Sequence, residues 1–82
     1  MEKSIFTRDH AALIRLLRKT REAAGMTQVQ LSKKLRLTQS LYSKMERGEV
    51  RIDVIQLRTI CRILGVTLVE FIQSLERDLA KA

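Results

Sequence analysis

The 82-residue chain contains no proline and no tryptophan, only one cysteine, three glycines, one tyrosine and two phenylalanines. Each scarcity excludes something. Without proline, no helix interior need be broken or kinked. Cys61 alone forms no intrachain disulfide, and no second thiol or histidine cluster near it suggests a metal. It is read as a core residue, because a free cysteine behaves as a small buried hydrophobe. No apolar run approaches ~18 residues, and the N-terminus lacks a basic-then-apolar signal pattern. A soluble, cytoplasmic chain is therefore expected. Low-complexity sequence is nearly absent and apolar content is 45%, so disorder is not expected. One domain spanning residues 1–82, with a single modest core, accounts for this length. There is no nucleophile–base pair, metal-ligand spacing or phosphate loop, so neither catalysis nor a metal or cofactor is expected. His10 stands alone near the start of the first helix and reads as a surface or capping residue.

Charge is plentiful and unevenly spread. Residues 1–62 carry 14 Lys and Arg against 6 Asp and Glu, a net +8; residues 63–82 carry 2 against 3, a net −1. A basic body suits a polyanion and a near-neutral tail does not, so two kinds of partner are implied.

Apolar residues recur at helical spacing, with no strand-like alternation. Leu13, Leu16, Leu17, Thr20 and Ala24 form a stripe on a first helix over about residues 8–24, capped by Thr7 or Asp9. Three capping boxes mark further helix starts: Thr27 with Gln30, Asp53 with Gln56, and Thr67 with Glu70. Gly25, Gly48 and Gly65 fall where helices one, three and four should stop. Starts and stops agree on a compact all-α bundle of five helices. Leu31, Leu35, Tyr42, Met45, Leu57, Ile60, Cys61 and Leu64 should fill its core. Ser32 is small enough to let helices two and three approach.

Helices two and three are short, capped and joined by a tight turn, the pattern of a DNA-binding helix-turn-helix. Stepping 100° per residue along Gln39–Arg47 puts Tyr42, Met45 and Glu46 inward. Ser40, Ser43, Lys44 and Arg47 face outward, with Gln39 and Leu41 at the flanks. A major groove accepts such a face: Lys donates to guanine, Gln pairs with adenine, and Ser is tolerant. Gln39, Ser40, Ser43 and Lys44 are the expected base contacts. Gln28 at the N-terminus of helix two, with Arg47, the Gly48 N–H and Arg51, is expected at phosphates. Lys33, Lys34 and Arg36 read as solvated. For Leu41 two readings stand: packing on Leu37, or contact with a thymine methyl.

The run Arg21-x3-Gly25-x-Thr27-Gln28-x2-Leu31-Ser32-x2-Leu35-x2-Thr38-Gln39-Ser40-x2-Ser43-Lys44-x-Glu46-x-Gly48, followed by Leu64-Gly65-Val66, resembles the Cro/lambdoid-repressor type of helix-turn-helix regulator, the XRE family. The resemblance covers about residues 10–75 and implies a lambda-repressor-like bundle. It also implies that Gln39, Ser40 and Lys44 read bases. Gln28 would hold phosphate and brace Gln39, and Arg21 would pair with Glu46 while lying near the DNA backbone. Two residues depart from the pattern. Arg36 stands where glycine is frequent, with an expected strain of roughly 1 kcal/mol if its φ is positive. Leu41 is bulkier than the usual neighbour of the base readers.

On the last helix, over residues 67–82, Leu68, Phe71, Ile72, Leu75 and Leu79 form a long apolar stripe. Its distal part, Phe71, Leu75 and Leu79, is the expected seam of a homodimer. The family resemblance supports a dimer on duplex DNA, nucleoid-associated when bound. A rival reading is an interaction protein, such as the antitoxin partner of a toxin, whose DNA binding is secondary.

Overall fold

The structure, a computed structural model, describes residues 7–81. Five helices follow in order: α1 Arg8–Ala23, α2 Gln28–Leu35, α3 Gln39–Glu46, α4 Val54–Leu64 and α5 Leu68–Ala80. No strand occurs among the described residues.

Every start is set by a side-chain oxygen that accepts from a first-turn N–H. Thr7 caps α1, so the expected choice between Thr7 and Asp9 falls to Thr7. Thr38 accepts from the Leu41 N–H at 3.1 Å to start α3. All three capping boxes close in both directions, as at Asp53, where Oδ1 accepts from Gln56 N at 2.7 Å and the Gln56 side chain accepts from Asp53 N at 3.1 Å. Each such cap contributes about 1 kcal/mol, which matters for helices of only eight residues.

The expected glycine stops are present, each with positive φ. Gly48 shows why. A Cβ there would meet His10 and Ile14 at ordinary contact distances of 3.6 and 3.7 Å, so space is not the constraint. Its φ of +80° is. α2 ends instead on Arg36, left-handed at φ 60° and ψ 38°, the sole non-glycine with positive φ among the described residues. The turn between α2 and α3 therefore carries the strain its sequence suggested.

α1 packs on α3 and α5, α2 on α3 and α4, and α4 on α5. Leu17, Leu31, Tyr42, Met45, Leu57, Ile60, Cys61, Leu64 and Phe71 form the shared core. Burial pushes the Cys61 thiol up, which keeps it neutral inside this core. Ser32 is buried and returns its hydroxyl to the Val29 carbonyl at 2.9 Å.

Three expectations need correction. The buried face of α1 is Ala12, Ile14, Leu17 and Arg21, with Leu13 and Leu16 at its margin and Ala24 exposed beyond the helix. The face is turned because Arg21 points inward to an acid. Leu35 is only partly buried at the core edge. Phe71 is 3% exposed, so its ring closes the core and has no surface left for a dimer seam. Leu75 and Leu79 remain half-buried. No helix among the described residues is long and apolar enough to cross a membrane.

Candidate nucleic-acid interface

The inner side of α3 is locked by one carboxylate. Glu46 is wholly buried, and its Oε2 accepts from Arg21 Nε at 2.6 Å and from the Tyr42 hydroxyl at 2.7 Å. Its Oε1 accepts from Arg21 Nη2 and Gln28 Nε2, each at 3.0 Å. Arg21 Nη1 donates to the Met26 carbonyl at 2.9 Å, reaching the loop between α1 and α2. The Arg21–Glu46 pair that the resemblance implied is thus the centre of a larger knot that joins α1, α2 and α3. Tyr42 and Gln28 were not foreseen as members.

The electrostatics follow from the contacts. Burial works to raise the Glu46 carboxyl, but the donors from Arg21, Tyr42 and Gln28 outweigh it and hold it below the usual carboxylate range. Burial and the bond to Glu46 push the Tyr42 hydroxyl far up, so it stays a donor. The hydrogen bond to Glu46 keeps Arg21 firmly charged. A buried ion pair of this kind contributes more to orientation than to net stability, since desolvation offsets much of the attraction.

The outer side of α3 faces solvent. Gln39, Ser40 and Lys44 are exposed, as the helical wheel expected. Leu41 is 38% exposed and stands beside them on the outer surface. Ser43 is half-buried and accepts from Arg47 Nη1 at 2.8 Å, and Arg47 Nε donates to Glu49 at 2.7 Å. Arg47 and Ser43, expected separately at phosphate and base, are therefore tied to each other and to an acid. Glu49 thereby brings an acid to the edge of the outward set. Both ends of the Arg47–Glu49 pair are about half exposed, so solvent and competing anions exchange with it readily.

The expected phosphate set also divides. Arg51 is exposed at the loop after α3. Gly48 is buried, and its N–H donates to the Met45 carbonyl at 3.1 Å, leaving no donor for an anion. Arg21 is buried with its guanidinium turned to Glu46 and Met26 and not outward to solvent. Gln28 keeps its place at the N-terminus of α2, but its amide braces Glu46 and not Gln39. One cation escaped the sequence reading. Arg18 is 52% exposed on its side chain, with Nε 3.7 Å from Glu46 Oε1, next to oxygens already filled by other donors. Its remaining N–H groups are open to an outside anion. The spacing Arg18 to Arg21 held the clue, since residues three apart share a helix face.

His10 is neither a cap nor a plain surface residue. It is half-buried against Gly48, and its Nε2 is sealed from solvent without a hydrogen-bond partner. Burial, and then the nearby Arg51 charge, hold it below the usual histidine value.

Two short helices, a strained turn, a locked inner face and a free polar-cationic outer face define a DNA-binding helix-turn-helix domain. A helix-turn-helix family model matches residues 17–71, from mid-α1 to the first turn of α5. The chain belongs to this XRE-type helix-turn-helix family, whose members bind DNA and regulate transcription, and its five helices form a lambda-repressor-like bundle. No curated protein and no solved structure matches the chain.

Proposed function

We propose that the chain is a sequence-specific transcriptional regulator, a repressor or controller, that binds a pseudo-palindromic duplex site as a homodimer. The observation that carries this reading is the two-sided character of α3. Its inner side is held by four hydrogen bonds to Glu46, and its outer side presents the exposed side chains of Gln39, Ser40 and Lys44 to solvent. A rigid helix with an uncommitted donor face suits the major groove, where Lys44 donates to guanine O6 and N7 and Gln39 pairs with adenine. Ser40 and Ser43 adapt to either base, Ser43 once Arg47 has turned to a phosphate.

Phosphates place that helix without reading sequence. Arg51 and Arg47 flank it on the loop side; Arg18 and the N-terminus of α2 at Gln28 flank it on the other. Arg21 acts through Glu46 as a positioning residue. A single module of this size buries too little DNA surface to be both tight and specific. Two copies on half-sites about one turn, ~34 Å, apart supply the remainder. Control by the protein's own concentration then follows from the monomer–dimer equilibrium.

Selection of sites from random duplex DNA, with the winner titrated at two salt concentrations, tests the reading. An enriched inverted repeat with half-sites one turn apart is the expected result. Weak, salt-sensitive binding with no enriched motif would overturn it and leave the fold as a scaffold for a protein partner, the antitoxin-like alternative.

A further inference from the structure

The most exposed large apolar residues are Ile55 at 69%, Val69 at 66% and Val54 at 60%; Val69 lies in the first turn of α5, the other two in that of α4. Val54 and Ile55 adjoin each other in the first turn of α4, separated from the end of the recognition helix α3 by the seven residues 47–53. Ile55 also borders a shallow groove of about 270 Å³ lined by Leu35, Leu37, Asp53 and Thr59. An apolar pair beside an apolar groove, both left open to water, is the mark of an interaction surface.

The charges around the pair say what covers it. Asp53 stands just before Val54 and Ile55, and Arg58 stands one turn after them; both are exposed. The order acid, two aliphatics, base is self-complementary when two such helices run antiparallel across a two-fold axis. Asp53 of each copy then meets Arg58 of the other, and the aliphatic pairs lie between them, each Ile55 against the partner's groove. That is the requirement of an isologous contact, in which one patch serves both sides. Any foreign partner would need the same pattern by coincidence.

We infer that the first turn of α4, with Asp53, Val54, Ile55 and Arg58, is the surface on which a second copy of this chain docks. The inference rests on the dimer proposed above and moves its seam from α5 to α4. The position has a consequence for DNA reading. Each α3 is joined to the seam by only residues 47–53, so the seam directly sets the distance and angle between the two recognition helices. A seam on distal α5 would reach α3 only through other helices, by way of α1 or of α4 and α2.

The test is sedimentation equilibrium of the full chain without DNA, with thermal melts as the control on folding. Ile55→Lys should raise the dimer dissociation constant at least tenfold and leave the melting temperature of the monomer unchanged, because the side chain is exposed. Leu75→Lys should leave the dimer intact. Asp53→Asn keeps the helix cap, since Asn caps as well as Asp, and removes only the charge. It and Arg58→Gln should each weaken the dimer several-fold, and the double variant should be no weaker than either single one, as for groups that pair with each other. Additive losses would overturn the pairing. A dimer lost in Leu75→Lys and kept in Ile55→Lys would overturn this seam while sparing the dimer. A wild-type chain that stays monomeric on an inverted-repeat site would instead overturn the dimer itself.

Discussion

Replacing Arg21 with Met leaves the buried Glu46 carboxylate without its strongest partner. Breaking a buried pair from one side costs about 3–5 kcal/mol. Here the lower end applies, because the Tyr42 hydroxyl, Gln28 amide and neighbouring Arg18 still face the carboxylate. A second bound agrees. Glu46 can escape by taking a proton, and from pH 7 to the usual glutamate value of ~4.3 this costs about 3.7 kcal/mol at 1.36 kcal/mol per unit. A domain of this length has a stability of about 4–12 kcal/mol, so Arg21→Met should keep a folded but weakened protein. At ~4–8 °C per kcal/mol, the melting temperature should fall by about 12–24 °C. The sign of the pH dependence is the sharper test. In the wild type the Glu46 value is depressed, so its contribution is full above the ordinary carboxylate range and is lost as pH falls through the folded value. In Arg21→Met burial dominates and the folded value rises above the unfolded one. The variant should then recover stability, relative to wild type, as pH falls from 7 toward 5. Arg21→Met/Glu46→Gln removes the lone charge and should be more stable than Arg21→Met at pH 7. Urea unfolding followed by circular dichroism at pH 7 and pH 5 measures all of this. A double variant with additive losses, or a deficit that deepens on acidification, would refute the reasoning.

Other perturbations address the interface and the strained sites. Lys44→Ala should cost about 1–3 kcal/mol at one base pair and relax specificity there, read by binding to a set of single-base operator variants; an equal loss on every sequence would move Lys44 to the phosphate set. Arg51→Ala and Arg18→Ala should each weaken binding to all sequences and lower the salt slope by about one, and an unchanged slope would remove that residue from the contacts. His10 has a lowered folded value, so its share of stability is full above about pH 6.5 and is lost as pH falls below that toward the folded value. Denaturation of His10→Gln between pH 7 and 5 should show a shallower loss than wild type. Arg36→Gly relieves a left-handed residue, and net of the added chain entropy it should raise stability by about 0.5–1 kcal/mol in urea unfolding; a loss would mean that the Arg36 side chain makes an unseen contribution.

How far the sequence could be read depended on the range of each interaction. Helix starts and stops were legible because caps are local: Thr27 and Gln30, or Asp53 and Gln56, announce themselves within four residues. The positive φ of Arg36 was suggested only by the family resemblance, in which glycine is frequent at that position. The outward face of α3 followed from periodicity alone. What escaped were contacts between elements. The turned face of α1 depends on Glu46, 25 residues beyond Arg21. The closure of Arg47 on Ser43 and Glu49 depends on where the chain goes after α3. The α5 stripe showed another limit, since periodicity finds an apolar face without saying whether the same chain already covers it. Phe71 is covered and Ile55 is not, although α5 has the longer stripe.

The placement of the acid explains why so short a helix can act as a reader. An isolated helix of eight residues is marginal in water, and a loose one would lose entropy on every contact it made. α3 is fixed by Thr38 at its start, by Tyr42 and Met45 in the core, and by Glu46 near its end. Glu46 in turn gathers donors from α1 and α2, so the N-terminus of α2 and the reading face of α3 hold a set relation. An apolar residue in place of Glu46 could pack as well, and by the usual balance of desolvation it need not be less stable. It could not accept from Gln28 and Arg21 at once. The buried charge therefore serves geometry, and losses of DNA affinity in its variants should exceed those expected from the fraction unfolded alone.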